Sequence, residues 1–404
     1  MSNHQTDQLT QALRERSDAM AGTHLGLDAV KGRARGIQRR RRTAVVTVAA
    51  AVVLAIGIPV GLNLGDVTNS QEPLPANPSP APSPGPVEPP APTGPVEVDA
   101  TELRPGSGPA IAWLIGPTLM LPGQDQIDLG RAYTQVTPYL EGWLATGSGK
   151  TFVLDADGTV LESFPGQGLA VSTDGSRVVT QLDATGGTDL QLRTAPFTEL
   201  PLSATVEIGP SVRLLGFTGP EEAAYVSTVP TGGGSEERVL VTDFLREPRR
   251  LEGLIGARGA SEVAGLVSGQ TSYNADGDGG SCWAVVDVAT GDRRWETCTW
   301  IPERYSPEGR YVVAESVFSD GIGGSALAIL DAATGEEVAE FSTEGLGQIV
   351  NPLWESDGTV LAETYQDGAW YAVRLGVDGS VERALGPELT GDDIASPWGF
   401  AATP

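Results

Sequence analysis

Histidine is almost missing from this chain: of 404 residues only His4 and His24 are histidine. Everything after them lacks the imidazole base of Ser-His or Cys-His catalysis and any histidine metal centre. Cysteine is equally scarce, with Cys282 and Cys298 alone. Lysine is reduced to Lys31 and Lys150, so nearly all of the 26 basic residues are arginine. With abundant alanine, glycine and proline, that usage points to a GC-rich bacterial genome. Long apolar runs are missing too, with a single exception that begins at residue 43.

Positive charge is in short supply overall, and what there is lies unevenly. The net charge is −26, yet residues 1–42 hold nine Lys/Arg against four Asp/Glu. That leaves 17 basic and 48 acidic residues in the remainder, a net −31. So acidic a body repels nucleic acid and other polyanions, which excludes them as partners, and it keeps the domain soluble. The length and the 40% hydrophobic content suffice for one large or two ordinary cores.

From Thr43 to Gly65 no residue is charged, and Ala44–Ile58 is almost wholly aliphatic. About 20 such residues span a bilayer as a helix. Arg39 to Arg42 precede the run directly, so the positive-inside rule keeps residues 1–42 in the cytoplasm as a basic tail. A cleaved secretory signal is the competing reading. The long preceding tail and the lack of a small-x-small cleavage site argue against it. Leu9–Ala21 has the pattern of a modest amphipathic helix, although a frayed, disordered tail fits equally well.

Residues 72–98 contain eleven of the thirty prolines. Proline fixes φ and removes donors, so residues 66–106 read as an extended extracellular stalk, at about 3.1 Å per residue where proline is dense. It lifts residues 107–404 off the membrane.

Those last residues read as short β-strands separated by turns, with no helical period. The turns recur. One series runs through Gly123, Gly158, Pro196, Glu247, Gly291, Gly335 and Gly379, with Asp287-Val-Ala-Thr-Gly291 and Asp331-Ala-Ala-Thr-Gly335 its best members. A second interleaves at Gly142, Gly175, Gly219, Gly269, Gly309, Gly358 and Gly399. A period of about 43 residues, holding four strands, is that of a propeller blade. The fold expected is all-β: a seven-bladed β-propeller behind one transmembrane helix and a proline-rich linker. Strands near Ile111–Ile115, Thr118–Leu121 and Gln126–Leu129 leave the first blade without an innermost strand, and residues 392–396 are expected to supply it.

Ser306-Pro-Glu-Gly-Arg-Tyr-Val-Val313 resembles the Ser-Pro-Asp-Gly turn and following strand of WD40-like propellers of the TolB type. Anchor, stalk and propeller together resemble membrane proteins of actinobacteria, a likeness that brings a fold but no activity.

Few residues carry chemistry. If Thr290-Gly291 is a hairpin tip and Asp287 faces Arg293, the same register sets Cys282 opposite Cys298, within disulfide reach in an oxidising compartment. Gly147-Ser-Gly-Lys150-Thr151 mimics the end of a phosphate loop, but Leu144 replaces the required first glycine and a strand follows, so it reads as a hairpin. Asn274-Ala-Asp-Gly-Asp-Gly-Gly280 puts Asp276 and Asp278 close enough to be candidate cation ligands. Val285 replaces the glutamate that an EF-hand needs, and such a loop is also an ordinary surface turn. No cofactor is implied. All eight tryptophans lie beyond residue 107, mostly as packing between blades.

The reading that follows is a non-catalytic binding or scaffold module displayed outside the cell, with a protein or cell-envelope partner. Acidic residues leave open a carboxylate-dependent enzyme of glycosidase or lactonase type, and the tail leaves open a transmembrane sensor. The topology has a direct check. Protease added to intact spheroplasts should release a folded fragment by cutting within residues 72–98, and protection until lysis would reverse the orientation.

Overall fold

The computed structural model describes residues 94–404 except 124, 185–186, 195–201, 206–210, 274–279, 319–323, 344–346, 390–394 and 403–404. The basic tail, the apolar run 43–65, most of the stalk, and both Asp276 and Asp278 lie outside the described residues. Among the described residues no helix is long and apolar enough to cross a membrane.

Among the described residues, seven sheets, each with four antiparallel strands, follow one another along the chain. Blades 2 to 7 are each a meander of consecutive strands, beginning with Gln135–Tyr139, Gln167–Val171, Ser211–Gly219, Gly256–Ser261, Trp300–Tyr305 and Gln348–Ser356. First strands of most successive blades lie against each other and form the innermost ring. The turns explain the repeat. In the Asp-x-Ala-Thr-Gly turns, the Asp287 and Asp331 carboxylates accept the backbone N–H of Thr290 (3.0 Å) and Thr334 (2.9 Å). In the Ser-x-x-Gly turns, the Ser172 and Ser306 hydroxyls accept the N–H of Arg177 (2.9 Å) and Tyr311 (3.2 Å). Asx and Ser turns of this kind satisfy backbone donors that a bare loop would leave to water.

Middle strands are covered on both faces by neighbouring blades, so they read as continuous apolar runs. Val312-Val-Ala314 and Leu327-Ala-Ile-Leu330 are all at most 1% exposed. The outermost strand Val160–Pro165, with a free edge, is exposed at all but one position among its first five. Each interface between neighbouring blades has its own apolar cluster. The core is therefore a set of wedges rather than one globule. Trp113, Trp283, Trp300, Trp354, Trp370 and Trp398 are all buried in it.

The ring closes through the C-terminus. Trp398–Phe400 pairs with Trp113–Ile115 and completes the blade whose other strands are Thr118–Met120 and Gln126–Asp128. The innermost strand of blade 1 thus comes from the C-terminus as expected, but from 398–400 rather than 392–396. The expectation took Gly399 for a turn, whereas here it lies inside the strand. A turn after this strand has nothing to connect, because the second strand of blade 1 comes from the other end of the domain. The turn placed at Gly269 also shifts. The chain reverses at Gly265, with φ +63°, while Gly269 sits in a strand where a Cβ would meet the Gly256 carbonyl at 2.7 Å.

Residues 96–106, assigned above to the stalk, are part of the propeller. Val96–Glu97 adds a parallel strand to the outer edge of blade 6. Gln366 then brackets the chain, accepting from Ala100 N–H (2.7 Å) and donating to Val98 C=O (2.8 Å). Pro105 bridges to Arg383 on the outer strand of blade 7. Arg374, 13% exposed, binds Glu355, Glu382 and Ser107 at once and donates to the Gly108 carbonyl (3.0 Å).

Cys282 and Cys298 are joined as a disulfide. The register beside them runs Trp283 opposite Thr297 and Ala284 opposite Glu296, as expected. A bulge nearer the tip makes Val286, not Asp287, the partner of Arg293. The Gly147–Lys150 segment is a hairpin, with Ser148 and Gly149 at φ 54° and 72°, the pair of positive values that a type I′ turn needs.

Closure makes the two ends of the domain cooperative. Trp398→Ala should cost about 3–5 kcal/mol, and deleting residues 395–404 should lower the single unfolding transition of the whole propeller, followed by tryptophan fluorescence in denaturant. A truncated chain that unfolds with the wild-type midpoint contradicts this closure.

Candidate functional site

The innermost strands do more than line a ring, because most of them are irregular at the same level. In blade 3, Gly168 is an extra residue between the pairs Thr180–Leu169 and Gln181–Gln167. Blades 4, 5 and 6 carry Leu215, Arg258 and Glu303 in the same way. Blade 7 widens between Val350 and Leu353, with Asn351 at φ 51°. A bulge leaves one residue outside the ladder and re-aims its side chain, and such features concentrate near binding and catalytic sites. Close packing fixes the level. A Cβ on Gly259 would lie 1.9 Å from the Glu303 carbonyl, so only glycine lets blades 5 and 6 approach this closely.

This level opens into a cavity of about 420 Å³ in the central channel, to which the innermost region of every blade contributes. That volume is within the range of small-molecule sites, about 300–1,000 Å³. Its wall carries Arg213, Arg258 and Arg304, the carboxylates Glu262 and Glu303, and the indole of Trp354. Three of these are anchored on another blade. Arg213 donates to the Ala257 carbonyl (2.7 Å), and the Trp354 indole N–H to the Arg304 carbonyl (2.8 Å). Glu262 belongs to the blade 5 turn but reaches blade 3, where it accepts Thr173 N–H (2.6 Å) and lies 3.5 Å from Arg177. The Ser261 and Ser306 hydroxyls are spent on turns, accepting Ala264 N–H (3.2 Å) and Tyr311 N–H (3.2 Å).

The electrostatics are dense. Burial raises the Glu303 carboxyl above the usual range, and Arg258, Arg304 and Arg213 pull it back. Glu315, on the second strand of blade 6, is pushed up to about 7, first by burial and then by the charge of Glu303. Burial lowers the Arg213 guanidinium, and the neighbouring positive charge of Arg258 adds to this, against Glu237 and Glu303. In blade 7, Glu363 is 1% exposed and is raised by burial to about 7, although the Asn351 amide donates to it (2.6 Å) and Ser396 also hydrogen-bonds it. Ser396 precedes the closing strand, so Glu363 ties blade 7 to the ring closure.

No family model matches the chain, and no curated protein matches it. Solved structures do. The chain is similar to the β-propeller domain of Cps50 (Swd1) from Myceliophthora thermophila, at 12% identity and TM-score 0.42, over 64% of this chain and 89% of that one. It is similar to TolB from Acinetobacter baumannii, at 15% identity and TM-score 0.39, over 66% of this chain and 65% of that one. It is also similar to the propeller domain of the trilobed protease from Pyrococcus furiosus, at 11% identity and TM-score 0.46, over 62% and 84%. These neighbours are propellers, WD40 and TolB kinds among them. The seven blades themselves are established by the strand ladders of this chain.

Of the residues singled out in the sequence, Cys282 and Cys298 meet on the outer part of blade 5, away from the channel, while Trp354 lines it. The arginines and glutamates of the channel were missed, because a bulge leaves no mark in a single sequence.

The raised carboxyls make stability depend on pH. A group with its folded pKa raised keeps a proton that the unfolded chain has released between about 4.5 and 7. The folded state therefore gains from acidification through that window and loses as pH rises through 7. For Glu363 the effect is on the order of 3 kcal/mol. Melting the full chain at pH 5.5 and pH 8 should show the higher transition at pH 5.5. Glu363→Gln, which mimics the protonated form, should reduce that difference and stabilise the protein at pH 8. An unchanged difference in the variant contradicts the assignment.

Proposed function

We propose that this protein is a membrane-anchored, extracytoplasmic binding module. Residues 43–65 hold it in the membrane with residues 1–42 inside, and the proline-rich stalk carries the propeller clear of the surface. Its ligand or partner, of protein or cell-envelope origin, enters the central channel. The observation that carries this reading is the roughly 420 Å³ cavity, lined from the innermost region of all seven blades and carrying charged groups and one indole on blades 4 to 7. Arg213, Glu262 and the Trp354 indole are held by other blades, which is how a preorganised recognition surface is built.

One observation favours a second reading, the carboxylate-dependent enzyme. Glu303 and Glu315 interact, and their surroundings push Glu315 up to about 7, as an acid–base pair requires. Binding is favoured over it because Glu315 does not line the cavity, and Glu262, the other carboxylate that does, is engaged by Thr173 and Arg177. Two-carboxylate hydrolysis needs both groups at the substrate.

The full chain in mild detergent, used as bait against cell-envelope extract, tests the proposal. Val263 lines the cavity and is 54% exposed, so Val263→Trp blocks the channel without entering the core. The wild type should retain a specific partner, and the blocked variant should lose about tenfold in retention or more. Equal retention by both contradicts the channel. Turnover of a glycoside or lactone panel that Glu303→Gln abolishes would replace the binding reading with the enzyme.

A further inference from the structure

We infer that Arg213, Arg258 and Arg304 form a binding site for an oxyanion, a carboxylate or phosphate group carried by the ligand that enters the channel. This rests on the channel reading above and gives it a chemistry.

The first ground is placement. Arg258 and Glu303 are themselves the bulged residues of blades 5 and 6, and Arg304 follows directly. Bulging takes Arg258 and Glu303 out of the ladder, while Arg304 stays paired with Val313 beside the bulge. All three arginines are on the cavity wall.

The second ground is charge balance. All three guanidinium groups act on Glu303, and Arg258 also repels Arg213. On the wall itself three positive charges face Glu303 and Glu262, and Glu262 is matched by Arg177. Glu237 offsets Arg213 from the side, and Glu315 lies behind Glu303. The pairing is also loose. Arg258 Nε is 3.9 Å from Glu303 Oε1, beyond hydrogen-bond reach, and the Arg258 side chain is 54% exposed. An incoming oxyanion relieves the repulsion between Arg213 and Arg258 and gives their planar forks the geometry they match best.

The third ground is contrast. The domain carries most of a large negative charge, so its outer surface repels anions. A cationic patch inside a channel, where low-dielectric walls focus the field, is a selective place for one to stop. A metal ion or an ammonium group is the poorer fit, since three guanidiniums stand in its way.

Binding is measured by isothermal titration of the detergent-solubilised full chain with inorganic phosphate and with succinate, at constant ionic strength and against sodium chloride. At least one probe should bind saturably. Succinate alone assigns a carboxylate, phosphate alone a phosphate, and both assign the shared oxyanion chemistry. Arg258→Gln and Arg304→Gln should each weaken binding by on the order of tenfold or more. Both side chains are exposed, so the variants should melt like the wild type without anion, and two sites guard against one variant misfolding. The inference is overturned if neither probe binds above the chloride control, or if binding survives both substitutions. Partner capture separates it from the reading beneath. If Val263→Trp abolishes capture while Arg258→Gln and Arg304→Gln leave it intact, the channel binds its partner but the oxyanion site is wrong.

Discussion

Three residue pairs, Trp113–Phe400, Leu114–Gly399 and Ile115–Trp398, hold the two ends of the domain together. Everything else depends on that short ladder, because no blade has a core of its own. Each sheet buries its faces only against its neighbours, so an open ring would expose two complete apolar faces and two strand edges. The interface at the seam is accordingly aromatic, with Trp113, Trp370 and Trp398 in one cluster. Polar contacts reinforce it from both sides. Glu363 reaches Ser396 just before the closing strand, and Arg374 pins the entering strap to blade 7. The strap crosses the outer edges of blades 6 and 7, so the chain is fastened before its first blade begins.

The same packing creates the channel site. Blades converge at the axis, and their innermost strands must approach each other more closely than ordinary sheets do. At Gly259 the neighbouring backbone leaves no room for a side chain, and the Glu303 carbonyl that fills the gap belongs to the bulged residue itself. The irregularity that exposes Glu303 and Arg258 to the channel is therefore a consequence of how blades 5 and 6 fit, not an addition to the fold. Bulges at the corresponding level in blades 3, 4 and 7 extend that level around most of the ring.

This division explains what could be read from the sequence. Hairpin turns obey local chemistry, so the Asp-x-Ala-Thr-Gly and Ser-x-x-Gly turns announce themselves, and with them the blade count and the Cys282–Cys298 register. Glycine is ambiguous where it serves close approach instead of reversal. That is why Gly269, packed against Gly256 and Leu254, passed for a turn that is actually at Gly265. Gly399 misled in the same way, and set the closing strand a few residues early. The strap was hidden for a different reason. Val96 to Gly106 follows directly on the proline-dense stretch, its alternation Val96-Glu-Val-Asp-Ala100 is only five residues long, and its place is fixed by partners about 270 positions away, such as Gln366 and Arg383. Long-range pairing of this kind has no local signature, and neither have the channel arginines.

The acidity of the domain also has a structural side beyond solubility. Asp174 is held well below the usual carboxylate range, chiefly by the hydroxyls of Ser172 and Ser176 in the blade 3 turn. Asp287 is lowered first by the Thr290 backbone N–H and then by Arg294, and Asp378 by Ser380. These groups have depressed folded pKa values, so what they contribute is present above the unfolded carboxylate range and is lost as pH falls through the folded values. They sit at the surface, where each is worth little alone. Glu315 and Glu363 have the opposite sign, and their ionisation weakens the fold as pH rises through about 7. The buried glutamates therefore carry the larger part of this pH dependence, and it weakens the fold as pH rises toward neutrality. Glu315 lies behind the channel wall and Glu363 beside the closing strand, so this dependence arises at the two places where the structure gives up regular packing, for the sake of a site and of a seam.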